Sequence, residues 1–212
     1  MASPNSGSLE SGWSTLRTMV AEGCHAPQPR GGHTATLIDK NLIVQGGQHH
    51  KSQGVFESFS LNPIVLNTDT HTWFEPRVAL GKGPAARAYH TTTRVGSSLF
   101  IFGGSTAAAQ KKGAEPERLG DMPVFDLVRM AWETRDVRGR RPKARSMHTA
   151  AMHEGKLFIV GGFDGTVSLG DVHILDTDSL LWSQPKWGQR LEPPALPFGV
   201  SCPTQPQLRS EG

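Results

Sequence analysis

The sequence predicts an all-β chain of repeated four-stranded sheets, and three observations predict it. Glycine (24) and proline (15) are plentiful among 212 residues of which 36% are hydrophobic, so turns should be many and helices few. Three windows of equal length, Pro27 to Gly47, Pro84 to Gly104 and Pro142 to Gly162, align without a gap. Each is followed by a matching segment, "VLNTDTHTW", "VFDLVRMAW" or "ILDTDSLLW", in which an apolar pair and Asn or Asp precede Trp73, Trp132 and Trp182. Within each unit β-favouring segments alternate with Gly, Asp, Asn or Pro; in the third they fall at about 147–153, 156–161, 171–176 and 180–185. Four short strands per unit make a meandering sheet.

In chain order, residues 1–11 are expected to be disordered, and "GWSTLRTMV" (residues 12–20) to resemble the fourth strand of a further unit, with Trp13 in the recurring tryptophan's place. The repeat region spans 12–183, with units at about 27–76, 84–135 and 142–185. A proline opens each unit (Pro27, Pro84, Pro142), where it stops pairing with the preceding segment. At matching offsets follow Arg30, Arg87 and Arg145, then His33, His90 and His148, then Thr34, Thr91 and Thr149. Each window closes on paired glycines: Gly46 and Gly47, Gly103 and Gly104, Gly161 and Gly162. Residues 184–212 carry prolines but neither the Arg and His spacing nor a glycine pair, and are expected to form a disordered or aberrant tail.

The paired glycines permit φ above zero and let another backbone or a flat ring lie directly on the strand. Trp73, Trp132 and Trp182 are the expected lids, one per unit. The recurring Arg and His invite a catalytic reading. A residue present in every unit serves every unit, however, whereas an active site needs one asymmetric constellation. The arginines are therefore expected to satisfy carbonyls at sheet junctions, and the histidines to be neutral, hydrogen-bonded strand residues.

On its glycine pairs and spaced tryptophans, from Trp13 to about Trp182, the chain resembles the kelch-repeat family. The resemblance implies that each unit is one blade of a kelch-type β-propeller. It gives three complete four-stranded blades plus one N-terminal strand, an incomplete ring, since propellers usually close with about 4 to 8 blades. A truncated sequence, or an arc completed by self-association, would account for this. The resemblance also implies a non-enzymatic protein–protein interaction module that binds a protein partner through loops on one face. The rival class is a metal-dependent enzyme. Copper oxidases resembling galactose oxidase need two tyrosines, whereas this chain has only Tyr89. The iron-dependent specifier proteins use Glu, Asp and His four apart, and here Glu117 and Asp121 fit while Phe125 stands third. No cofactor is expected.

Partner binding is assigned to the parts that do not repeat. The segments after the first two glycine pairs are long, Gln48 to Asn62 and Ser105 to Gly120, and supply His49, His50 and Lys51, and Lys111, Lys112 and Glu115. Adjacent His49 and His50 would point oppositely on a strand, with no third ligand nearby, which disfavours a metal site. A basic run from Arg135 to Arg145 adds Arg138, Arg140 and Arg141 as a patch for an acidic or phosphorylated partner, or a weak nuclear-localisation-like signal. A net charge of +3 without interleaved aromatics disfavours nucleic acid. No apolar run approaches the roughly 20 residues of a membrane span, and no signal peptide is recognisable. Cys24 and Cys202 lie far apart in no metal or redox spacing, so a cytoplasmic or nuclear protein is expected.

Overall fold

The computed structural model describes residues 15–52, 55–79, 83–107 and 115–185. The expected N-terminal disorder, Trp13, Lys111 and Lys112, and nearly all of the expected tail lie outside those residues. The described residues contain strands and no helix. Blade 1 holds β1 (Met19–Val20), β2 (Gly31–Ile38), β3 (Asn41–Ser52), β4 (Val55–Ser58), β5 (Ile64–Asn67) and β6 (Thr72–Phe74). Its order is β1-β6-β5-β3-β2, with β4 on β3. Blade 2 runs β10-β9-β8-β7, from β7 (Thr91–Val95), β8 (Ser98–Phe102), β9 (Val124–Asp126) and β10 (Ala131–Glu133). Blade 3 runs β11-β15-β14-β13-β12, from β11 (Arg138–Gly139), β12 (Thr149–His153), β13 (Lys156–Phe163), β14 (Ser168–Asp176) and β15 (Leu181–Ser183).

The Asn or Asp before each tryptophan builds the turn into the last strand. Asp126 Oδ1 accepts the N–H groups of Val128 and Arg129 at 2.8 Å, and Asn67 Oδ1 accepts those of Asp69 and Thr70 at 3.0 and 2.9 Å. Asp176 accepts from Ser179 in the same way. The turn closes on a left-handed residue, His71, Met130 or Leu180, with φ of 53°, 50° and 55°.

Aligned with β6 on its tryptophan, the expected fourth strand of a further blade falls on residues 12–14, outside the described residues, while one expectation about the tryptophans changes. β1 pairs in parallel outside β6, Met19 facing Thr72 and Val20 facing Trp73. β11 pairs with β15 likewise, and in blade 2 the Ala79 N–H reaches Met130 O at 2.8 Å, as Met19 reaches His71 O and Arg138 reaches Leu180 O. The connector entering each blade thus runs along that blade's outer edge and satisfies backbone groups that an edge strand would leave open.

The tryptophans do not lie on the glycine pairs. Trp132 and Trp182 face the preceding blade, where the core lies. One apolar cluster joins Ile43, Leu61 and Val65 of blade 1 to Leu99, Ile101 and Phe125 of blade 2, with Trp132 against it. The other joins Phe100, Phe102 and Val124 of blade 2 to Leu157, Ile159, Leu175 and Trp182 of blade 3. A single twisted sheet has two faces and no interior, so apolar burial is completed only between blades. Trp182, 3% exposed, meets Phe102 at 5.7 Å. The Trp132 indole N–H donates to Asn62 Oδ1 at 3.0 Å, across the junction. Trp73 stays half-buried.

Candidate functional site

Among the described residues, two fully buried charged groups belong to the repeat itself. Arg87 and Arg145 are fully buried. Arg87 donates to Gly103 O at 3.1 Å and grips Asp121 through both carboxylate oxygens at 2.6 and 2.8 Å. Arg145 repeats the set on Gly161 O at 2.9 Å and on Asp171 at 2.6 and 3.0 Å. The guanidinium of Arg145 holds the Asp171 carboxyl well below the usual carboxylate range, with His173 adding a 2.9 Å hydrogen bond. Blade 1 differs: Arg30 donates to Gly46 O at 3.1 Å, but Asn62 stands where Asp121 and Asp171 stand, and the guanidinium lies 3.9 Å over the Phe59 ring. Each arginine therefore serves the glycine carbonyl of its own blade, rather than bridging two blades by its side chain.

The bridge between blades is made by the histidines. His90 Nε2 lies 3.1 Å from Thr34 Oγ1 of blade 1, and His148 Nε2 lies 2.8 Å from Thr91 Oγ1 of blade 2. His33 is in β2, but His90 and His148 precede β7 and β12, so the strand expectation holds for His33 alone. Burial, and then Arg87, push the His90 imidazole down to about 3; burial, and then Arg145, push His148 to about 4. Both are neutral at physiological pH. Nδ1 of each is buried without a hydrogen-bond partner; a bare lone pair is cheaper to leave unmet than an N–H, which assigns the Nε2–H tautomer donating to threonine.

The lid expected of tryptophan is this imidazole together with a backbone carbonyl. A Cβ on Gly46 would meet Arg87 O at 2.6 Å and His90 Cε1 at 2.7 Å, and one on Gly103 would meet Arg145 O at 2.5 Å and His148 Cε1 at 3.0 Å. The second glycine of each pair admits the blade's own first strand: Gly104 would meet Ala88 O at 2.7 Å and His90 Cβ at 2.9 Å. Asp121, Asp171 and the threonine acceptors are the partners that sequence reasoning did not pair with Arg and His. A signal existed, for each aspartate stands five residues before the turn carboxylates Asp126 and Asp176.

The non-repeating candidates lie elsewhere. Of Gln48 to Asn62, the part up to Ser58 is a hairpin rather than a loop: β3 continues into it and pairs with β4, His49 facing Glu57 and His50 facing Phe56. His49 lies 3.6 Å from Glu57 and 4.9 Å from the Phe59 ring, Lys51 pairs with Glu57 at 2.5 Å, and Phe56 is 44% exposed. Glu115 is exposed, and beyond it Arg118 lies 5.3 Å over the Phe163 ring of blade 3. The basic run divides. Arg145 is inside, Arg135 pairs with Glu133 at 3.0 Å, and Arg141 donates to Val137 O. Arg138 and Arg140 project, exposed, with no ion pair or side-chain hydrogen bond among the described residues. Among these residues no cluster of three His, Cys, Asp or Glu could hold a metal ion.

Three comparisons place this geometry. Residues 9–202 match the family described as the KLHDC2/KLHL20/DRC7 Kelch-repeats domain. The chain is similar to acyl-CoA-binding domain-containing protein 4 of Arabidopsis thaliana, 33% identical over 180 residues, covering 82% of this chain and 25% of that protein. It is similar to the Rab9 effector protein with kelch motifs of Gallus gallus, 37% identical over 109 residues, covering 51% of this chain and 28% of that protein. It thus spans about a quarter of the length of either relative. The solved structure of YjhT shares the fold with a TM-score of 0.59 at 18% identity, over 74% of this chain and 52% of that one.

Proposed function

The chain belongs to the kelch-repeat family, and from that premise we propose that it is a protein-binding module which holds its partner on the face bearing the β3–β4 hairpin and the segment around Glu115. The observation that carries this reading is the division of labour among polar groups. Arg87, Arg145 and their aspartates are consumed by internal bonds, while His49, His50, Lys51, Phe56 and Glu57 stand on the β3–β4 hairpin of blade 1, which extends further than the Gly162↔Leu169 and Phe163↔Ser168 pairing past the glycine pair of blade 3. A hairpin fixed to a sheet presents such side chains at little entropic cost. The naming of one relative as a Rab9 effector supports a protein ligand in general.

The metal-dependent alternative meets a specific obstacle. Both oxygens of Asp121 are held by Arg87, and Phe125 is fully buried in the core between blades 1 and 2.

Affinity capture tests the proposal. The intact chain is compared with a variant in which residues 49–57 are replaced by a two-residue Asn-Gly turn, and with Arg138→Glu/Arg140→Glu. Loss of the same captured proteins with the hairpin variant supports the hairpin face; an unchanged set of proteins with both variants removes it.

A further inference from the structure

The junction between blades 1 and 2 is built from different side chains than the junction between blades 2 and 3. Strand alternation turns Asn41, Ile43 and Gln45 of β3 toward blade 2, and their counterparts Ser98, Phe100 and Phe102 of β8 toward blade 3. Phe100 and Phe102, 3% and 2% exposed, fill the second core. At the first junction, the end of β3 away from the hairpin opens onto a cavity of about 390 Å³. Ile43, Val65 and Phe74 wall it from blade 1, and Phe125 and Met130 from blade 2. The counterpart of Phe74 in blade 2 is Glu133, held in ion pairs by Arg129 and Arg135, so an apolar wall here replaces a charged one there.

Two polar groups mark this apolar cavity. Asn41 lines it, and Asn41 Oδ1 is buried with no hydrogen-bond partner among the described residues. Buried acceptors are almost always met by a donor, and a ligand in the cavity is placed to supply one. Asp39 is the single charged residue lining the cavity among the described residues; it is exposed, in the turn from β2 to β3. A carboxylate at the mouth disfavours an anion. Cavities of roughly 300 to 1,000 Å³ with apolar walls and a few placed polar groups are the usual form of small-molecule sites. Both walls belong to neighbouring blades that share one core cluster, so the cavity is a property of this junction.

We propose that this cavity binds a small aromatic molecule, neutral or cationic, that carries one ring N–H or O–H donor. The donor bonds Asn41 Oδ1, and the flat body lies among Ile43, Phe74 and Phe125, where the two aromatic walls favour another ring. A cation on such a ligand is accommodated by Asp39 at the mouth. The site stands at the opposite end of β3 from His49 and Lys51, so it is independent of the hairpin face.

The test is titration of the 212-residue chain with indole, followed by the methyl signals of Ile43, Val65, Leu127 and Met130 in two-dimensional NMR. These signals should shift saturably. Benzofuran, with a ring oxygen in place of the N–H, should bind about 5-fold more weakly or worse, and the anion indole-3-acetate more weakly than indole. Asn41→Leu should erase the preference for indole over benzofuran. Ile43→Phe, which copies Phe100, should fill the cavity and remove binding of both, with circular dichroism reporting its fold; if that variant does not fold, Asn41→Leu decides. The proposal is overturned if indole leaves the cavity methyls unmoved, if indole and benzofuran bind the unaltered chain equally, or if a folded Ile43→Phe binds indole undiminished.

Discussion

Arg145 illustrates how a charged side chain becomes part of a fold. Its guanidinium, 0% exposed, serves Gly161 O, Asp171 and Lys143 O at once. Arg145→Ala should destabilise the chain by about 3 kcal/mol in urea denaturation, because Asp171 and a carbonyl lose their donors. Arg145→Lys should recover only part, since an ammonium cannot match the fork. Arg87→Ala should cost less, because Asp121 is 50% exposed against 25% for Asp171 and water can replace the donor. The buried histidines set the acid side of the stability profile. Unfolded imidazoles take a proton near 6.5, the folded ones only near 3 and 4. The unfolded chain therefore binds more protons between those values, and stability fully present above pH 6.5 is lost as pH falls toward 4. By pH 5 the loss should be about 2 kcal/mol per histidine, and His148→Gln should flatten the profile in urea titrations at stepped pH.

At the scale of the strand, the glycine pair and the tryptophan do different work from that expected. Gly103→Ala would drive a Cβ to 2.5 Å from Arg145 O at φ +63°, whereas Gly96 has a similar φ of +58° and nothing within 4 Å. Gly96→Ala should cost about 1 kcal/mol, the left-handed penalty alone, and Gly103→Ala clearly more, by thermal or urea unfolding. Trp182→Ala should cost about 3 to 5 kcal/mol, and Trp73→Ala distinctly less, because Trp182 is enclosed by blade 2 while Trp73 is half-buried. The positions of these residues were readable because strand and turn periodicity are local. Their partners were not. Which ring covers Gly103 depends on the approach of another blade, and His148 is 45 residues away along the chain.

Among the described residues, burial accumulates at junctions between blades rather than within sheets, so stability is a sum over neighbours. The three units, their four strands and the identity of the recurring Arg, His, Gly and Trp were determined by the sequence itself, because a repeat writes its own alignment and short-range turn chemistry fixes each meander. Only the tertiary structure decided that β1 and β11 lie outside the blades they precede, that the part of Gln48 to Asn62 up to Ser58 is a hairpin, and that histidine rather than tryptophan covers the glycines. The reason is physical: the glycine cover and the outer edge are each completed by groups far away in the chain, and spacing along the sequence carries no record of which surfaces will meet.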